Sequence, residues 1–138
     1  MKTKIVVSEL THDDLTNLLS VALYGSTWFG ATYDREIYKN LTNTIGECFE
    51  DKLADMLLAG HKITFTDYEA EGESYSDRCV GFGEYESAIY EVCLQDFLNV
   101  ASTKEGFKLL EETLSGDGDF YTADAFLQRV VFGEEVYG

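Results

Sequence analysis

Proline is absent from this chain, and basic residues are scarce. Among its 138 residues, ten are Lys or Arg and 26 are Asp or Glu, for a formal net charge of -16. Average usage would supply about seven prolines, but we derive no functional meaning from their absence. Because phosphate groups are neutralised by clustered Lys and Arg, the scarcity of bases argues against direct binding to DNA, RNA or an anionic membrane. Any charged partner is expected to be basic.

Cysteines and long apolar stretches are also few. Cys48, Cys79 and Cys93 are odd in number and show no CxxC spacing, so a disulfide framework is not expected. The N-terminal stretch MKTKIVVSEL has three consecutive apolar residues before Ser8, too few for a signal peptide or a membrane span. We therefore predict a protein of the reducing cytoplasm that does not enter a membrane.

Residues typical of catalysis and of cofactor binding are sparse. His12 and His61 are the two histidines, and neither a GxSxG motif nor a cysteine-protease motif accompanies them. The GFG stretch lacks the third glycine of a dinucleotide loop. In GDGDFYTAD, Asp117 and Asp119 imitate two calcium ligands, but the later ligand positions hold unsuitable residues, so a turn and a helix start are predicted. We predict no cofactor, no metal and no catalytic residue; a small enzyme using a histidine or cysteine remains an alternative.

The spacing of the apolar residues predicts both helices and strands. Helical spacing is found over 11–24, 47–59, 96–102, 104–114 and from Thr122 to Gly133. Alternation typical of strands is found over 3–8, 61–70 and 87–94, with a possible short strand over 78–82. Segment 26–46 is predicted to be a loop with a helical turn between Asp34 and Leu41. The expected fold is a single α+β domain over 1–138, in which several helices pack on a small antiparallel sheet.

Acidic residues are concentrated between Asp67 and Glu91, where Arg78 is the one basic residue. The first four carboxylates recur at every second residue, so in an extended chain they would point to one side about 6.6 Å apart and form a charge ladder. The acidic residues of this stretch are Asp67, Glu69, Glu71, Glu73, Asp77, Glu84, Glu86 and Glu91. An ordinary solvated surface and a binding surface for a basic partner both explain this charge.

A second acidic cluster is predicted on the helix over 47–59. Glu47, Asp51 and Asp55 recur every four residues, opposite the apolar face, which predicts an acidic ridge. Duplex DNA carries one charge per about 1.7 Å, so several such elements side by side would be needed to imitate it.

Two binding hypotheses follow from this charge and from the aromatic residues. In the first, the acidic residues imitate DNA and occupy a basic, nucleic-acid-binding protein, with aromatic anchors at Tyr68, Tyr75, Tyr85 and Tyr90. In the second, the protein is an accessory or assembly factor that uses an apolar surface near Trp28, Phe29 and Tyr33. The sequence leaves the oligomeric state open.

Three segments of the chain resemble small acidic proteins of phages and conjugative elements: LTNLLSVALYGS (15–26), EDKLADMLLAGHKITFTDYEAE (50–71) and ADAFLQRVVFGEEVYG (123–138). At the level of class, the size and charge are similar to those of anti-restriction and anti-CRISPR proteins that imitate DNA. This resemblance implies a stoichiometric inhibitor. Because that class shares no motif, the resemblance implies no particular functional residue.

Overall fold

The computed structural model describes residues 4–138, which contain six α-helices and four β-strands. A single-turn 3₁₀ helix, Glu84–Glu86, precedes the last strand. In chain order the elements are α1 His12–Gly25, β1 Phe29–Thr32, α2 Arg35–Lys39, α3 Phe49–Leu58, β2 Ile63–Asp67, β3 Cys79–Phe82, β4 Ala88–Val92, α4 Leu94–Ala101, α5 Lys104–Ser115 and α6 Phe120–Phe132. One contiguous core joins the helices to the sheet, which confirms the predicted single α+β domain.

The sheet is antiparallel throughout, in the order β1-β2-β4-β3. Strand β2 pairs with β4 along its whole length, from Ile63 opposite Val92 to Asp67 opposite Ala88. The residues of β2 and β4 alternate between a buried face toward the helices and a partly exposed face, as predicted from their period of two. The short strand predicted over 78–82 is present as β3 and pairs with the outer side of β4.

Helices α1 and α6 pack against each other and carry much of the core. The predicted apolar face of α1 is buried, as is the predicted face of α6. Helix α1 begins at the predicted capping box: the Thr11 hydroxyl accepts from the Asp14 backbone N–H, and the Asp14 carboxylate accepts from the Thr11 N–H. The predicted helical turn after Asp34 is present as α2.

Three local predictions were wrong. Residues 4–8 form no strand, and residue 3 lies outside the described residues; the Val7 N–H donates instead to the Ser102 hydroxyl at the end of α4. Strand β1 was predicted to be loop, because four residues that include a glycine show little alternation. Helix α6 is capped by Asp119, whose carboxylate accepts from the N–H groups of residues 121 and 122, and so begins before Thr122.

Candidate functional site

The acidic stretch begins with a buried carboxylate. Asp67 is the last residue of β2 and has no exposed surface. Its Oδ1 atom accepts from the Glu69 backbone N–H at 2.9 Å, and its Oδ2 atom accepts from the Tyr137 hydroxyl at 2.8 Å. Burial raises the pKa of Asp67, although both hydrogen bonds favour the charged form. Asp67 therefore belongs to the interior and cannot contact a partner.

The predicted charge ladder is wrong for the same reason. Ile63, Phe65 and Asp67 share one face of β2, and that face packs on the core. Beyond Asp67 the chain leaves the strand and turns, so the every-second-residue geometry does not continue into Glu69, Glu71 and Glu73. The parity of Asp67 with two buried apolar residues was the signal in the sequence from which its burial could have been predicted.

Antiparallel pairing brings two other acidic segments together. Since Asp67 lies opposite Ala88, the segment after β2 and the segment before β4 leave the sheet at the same end. A hydrogen bond of 2.9 Å from the Gly72 N–H to the Glu86 carbonyl oxygen joins them. We call the four exposed carboxylates carried by these segments the acidic turn surface: Glu71, Glu73, Glu84 and Glu86.

The backbone of the acidic turn surface is strained. Glu71, Tyr85 and Glu86 have φ angles of 51°, 54° and 59°, in the left-handed region that residues other than glycine seldom adopt. Such conformations cost on the order of 1 kcal/mol each and persist where the surrounding structure enforces them. Tyr85 is nevertheless 95% exposed, so packing of its side chain does little to offset this cost.

Within residues 4–138, no Lys or Arg forms an ion pair with a carboxylate of the acidic turn surface. Among the described residues, the ion pairs formed by Arg or Lys are Arg78 with Asp77 and Arg129 with Glu135. The Arg78 Nε atom also donates to the Val130 carbonyl oxygen at 2.7 Å, near the end of α6. The single base between Asp67 and Glu91 is therefore used elsewhere in the fold.

The remaining acids of the stretch are separate from this surface. Glu69 is exposed at the same end of the sheet but lines a different hollow, beside Trp28 and Tyr137. Asp77 precedes β3, and Glu91 lies on the partly exposed face of β4 near its other end. The fold thus brings four of the eight predicted residues of this stretch together and places the other four elsewhere.

The second predicted cluster is not an exposed ridge. Helix α3 begins at Phe49, so Glu47 lies before it, and the Asp51 carboxylate accepts from the Cys48 backbone N–H at 3.2 Å. This hydrogen bond lowers the pKa of Asp51. Asp55 is 7% exposed because α3 packs on α1 on that side as well. The burial of Asp55 could not be predicted from the spacing, because spacing alone does not reveal that α3 is covered on two sides.

Asp55 is the centre of a hydrogen-bonded network. Its carboxylate contacts the His12 Nε2 atom at 3.1 Å and accepts from the Tyr38 hydroxyl at 2.8 Å. It also accepts from the backbone N–H groups of Ile45 and Gly46 at 3.2 and 3.1 Å. We call these groups the Asp55 network. Desolvation and the nearby Asp55 carboxylate raise the pKa of Tyr38. This network holds segment 42–46 against α3. It also gives His12 a structural role, as a partner of the Asp55 carboxylate.

The apolar surface predicted near Trp28 is not present. Trp28 and Phe29 are 4% and 7% exposed and belong to the core, and the Trp28 Nε1 atom donates to Asp124 at 2.6 Å. Tyr33 is half-buried against other aromatic rings. Of the four tyrosines proposed as anchors, Tyr68 and Tyr85 are exposed, Tyr75 is half-buried and Tyr90 is buried. The two exposed tyrosines of this set therefore lie at the same end of the sheet as the acidic turn surface.

Residues 4–138 show no group of three or more His, Cys, Asp or Glu side chains arranged to hold a metal ion. Within the same range, no helix is both long enough and apolar enough to cross a bilayer. Asp119 of the GDGD loop caps α6, and Asp117 accepts from the Ser115 hydroxyl at 3.3 Å. No protein-family model, curated protein or solved structure matches this chain.

Proposed function

We propose that this protein binds a basic, nucleic-acid-binding protein through the acidic turn surface and inhibits or regulates it by imitating DNA. The observation that carries the proposal is the union of Glu71, Glu73, Glu84 and Glu86 on two segments joined by the Gly72 to Glu86 hydrogen bond. These carboxylates are exposed, and the structure gives none of them a cationic partner among residues 4–138.

The charge of the whole chain supports such binding. A net charge of -16 surrounds the acidic turn surface with like charge and produces a negative potential. That potential accelerates the encounter with a positively charged surface, and salt screens it over about 10 Å at 0.1 M. Binding through this surface should therefore weaken steeply as the salt concentration rises.

The resemblance to proteins of phages and conjugative elements suggests the class of partner. A host restriction or CRISPR enzyme holds DNA in a basic groove, and a compact acidic protein that enters the groove would exclude the substrate. Inhibition of this kind is stoichiometric and requires neither a cofactor nor turnover by the inhibitor.

A pull-down from host extract tests the proposal. Tagged protein is incubated with extract, washed at moderate salt and then challenged with excess duplex DNA. We expect a basic nucleic-acid-binding protein to be retained and to be released by DNA. Retention that DNA does not affect would contradict mimicry.

A matched pair of variants separates the site from the overall charge. The test variant replaces Glu71, Glu73, Glu84 and Glu86 by Gln. The control replaces four exposed glutamates elsewhere by Gln, namely Glu9, Glu47, Glu111 and Glu134. We expect the test variant to lose the partner and the control to keep it. Equal weakening in both would mean that net charge alone drives binding, and undiminished binding by the test variant would exclude this surface.

The second candidate is an accessory or assembly role, favoured by the exposure of apolar side chains near the same end of the sheet. Val80, Phe82 and Tyr85 are 57%, 50% and 95% exposed. For such a role, partner binding should survive high salt and excess DNA. It should instead decrease when Phe82 and Tyr85 are replaced by Ser.

A further inference from the structure

We infer that a groove beside the acidic turn surface accepts an arginine side chain of the partner. This inference rests on the proposed function and specifies the chemistry of the contact. The groove lies on the partly exposed face of the sheet and has a volume of about 510 Å³. Its lining includes Thr66, Tyr68, Glu84, Tyr85, Ser87 and Ile89.

The base of the groove follows from the register of the sheet. Thr66 of β2 and Ile89 of β4 are direct partners and lie on the face opposite the core. Gly83 keeps the space open, because a Cβ atom there would lie 3.2 Å from the Ser87 hydroxyl and 3.3 Å from the Ile89 Cδ1 atom. A methyl and methylene surface is therefore accessible between the two segments of the acidic turn surface.

Two exposed tyrosines also line the groove. Tyr68 is 62% exposed and Tyr85 is 95% exposed, so both rings offer accessible faces. Tyr68 lies over β1, and its hydroxyl is 2.5 Å from the position that a Cβ atom of Gly30 would occupy. The glycine thus permits the position of the Tyr68 ring.

The charge at the groove selects the occupant. Glu84 lines it, Glu86 follows Tyr85 directly, and no Lys or Arg is among the lining residues. A carboxylate beside aromatic rings and an apolar base suits a cation on an apolar stem. A second copy of this chain would bring like charge to the acidic rim, and phosphate would be repelled.

Arginine fits these groups better than lysine does. Its planar guanidinium stacks on aromatic rings and donates hydrogen bonds in a fixed fork to a carboxylate, whereas the lysine ammonium is compact and strongly hydrated. Stacking on tyrosine at an exposed or partly desolvated site contributes about 0.5 to 2 kcal/mol. Loss of one ring is therefore expected to weaken the partner's affinity by about twofold to thirtyfold.

Capped tripeptides provide a direct test of the groove. Acetyl-Gly-Arg-Gly-amide is titrated into ¹⁵N-labelled protein and compared with the equivalent peptides containing lysine or citrulline, the latter a neutral analogue of arginine. We expect saturable shifts of the Thr66, Ser87 and Ile89 amide signals with arginine, weaker shifts with lysine and none with citrulline. No saturable shift up to the solubility limit, or equal shifts with arginine and lysine, would overturn the inference.

Variants connect the groove to its occupant. Tyr85→Ser should weaken binding of the arginine peptide by about twofold to thirtyfold, whereas Tyr24→Ser, which removes a ring that is 94% exposed on α1, should leave the arginine-dependent shifts unchanged. Gly30→Ala should weaken them with both groove tyrosines intact, because its methyl group displaces the Tyr68 hydroxyl. An unchanged affinity for the arginine peptide in Tyr85→Ser would overturn the inference.

The same variants separate this inference from the proposed function. If Tyr85→Ser retains as much partner as the wild type in the pull-down while the Gln variant of the acidic turn surface loses it, the groove inference fails and the proposed function stands. If the arginine peptide occupies the groove but no basic protein is retained from extract, the proposed function fails and the groove inference stands.

Discussion

The Asp55 network and the acidic turn surface contain the same kind of side chain in opposite environments. The Asp55 carboxylate is 7% exposed and contacts an imidazole, a hydroxyl and two backbone N–H groups. The carboxylates of the acidic turn surface are exposed, and among the described side chains only the Tyr75 hydroxyl donates to one of them, to the Glu73 Oε2 atom at 3.5 Å. The spacing in the sequence therefore does not distinguish a structural acid from one free to bind. The hydrogen-bond donors around each carboxylate make this distinction.

The energetic reason lies in solvation. A buried carboxylate is strongly destabilised unless hydrogen bonds replace its water, and in the Asp55 network they do. Exposed carboxylates keep their water and repel one another weakly, so they contribute little to folding. Groups that contribute little to folding but form a local concentration of charge are available for a partner.

The largest expected effect is that of Asp55→Ala. This change leaves the Tyr38 hydroxyl and the N–H groups of Ile45 and Gly46 without their acceptor. We expect the free energy of unfolding to fall by about 3 kcal/mol, since several partly buried groups lose their acceptor at once. Urea denaturation measures this. A loss no greater than that of the Gln variant of the acidic turn surface would invalidate the comparison.

The next effect concerns Asp67, the buried acid beside the acidic turn surface. Tyr137→Phe removes the hydroxyl that donates to its Oδ2 atom, and we expect a loss of about 1 to 2 kcal/mol at neutral pH.

The pH dependence of this loss has a defined sign. Burial already raises the pKa of Asp67 above its usual value of 3.8, so the folded state binds a proton more readily than the unfolded state. The contribution of Asp67 protonation to the free energy of unfolding therefore grows as the pH falls from above the raised pKa toward 3.8. Because Tyr137→Phe removes a donor to the charged form, its cost should be larger at pH 7 than near pH 4. Denaturation at both values checks this, and an equal cost at both would contradict it.

A smaller effect on stability is expected when Asp51, which caps the start of α3, is replaced. Its pKa lies below the usual 3.8, so its ionised form stabilises the folded state above that pH, and this contribution is lost as the pH falls through the lowered value. In Asp51→Asn the contribution is absent at every pH. The difference in melting temperature between wild type and variant should therefore narrow below about pH 3.8. A difference that stays constant there would argue against the assigned hydrogen bond.

The smallest effect on folding is expected at the acidic turn surface itself. Replacing Glu71, Glu73, Glu84 and Glu86 by Gln should change the free energy of unfolding by about 0.5 kcal/mol or less, because these side chains are exposed and form no ion pair with Lys or Arg of residues 4–138. Partner binding should nevertheless be lost. A large decrease in stability would show that these residues are structural, as Asp55 is.

The amphipathic elements and the overall charge follow from the amino-acid sequence alone. The faces of α1 and α6, the capping box at Thr11 and the alternation in β2 and β4 are local patterns, and they follow from the periods of helices and strands. The excess of acidic over basic residues likewise requires no structure.

Which acids face water depends on how the segments pack and pair in three dimensions. Asp55 is buried because a second element covers α3, and Glu71 approaches Glu86 because β2 and β4 pair with Asp67 opposite Ala88. Strand β1 depends in the same way on the edge of β2. Burial and long-range pairing are properties of several segments together, so the pattern within any single segment does not contain them.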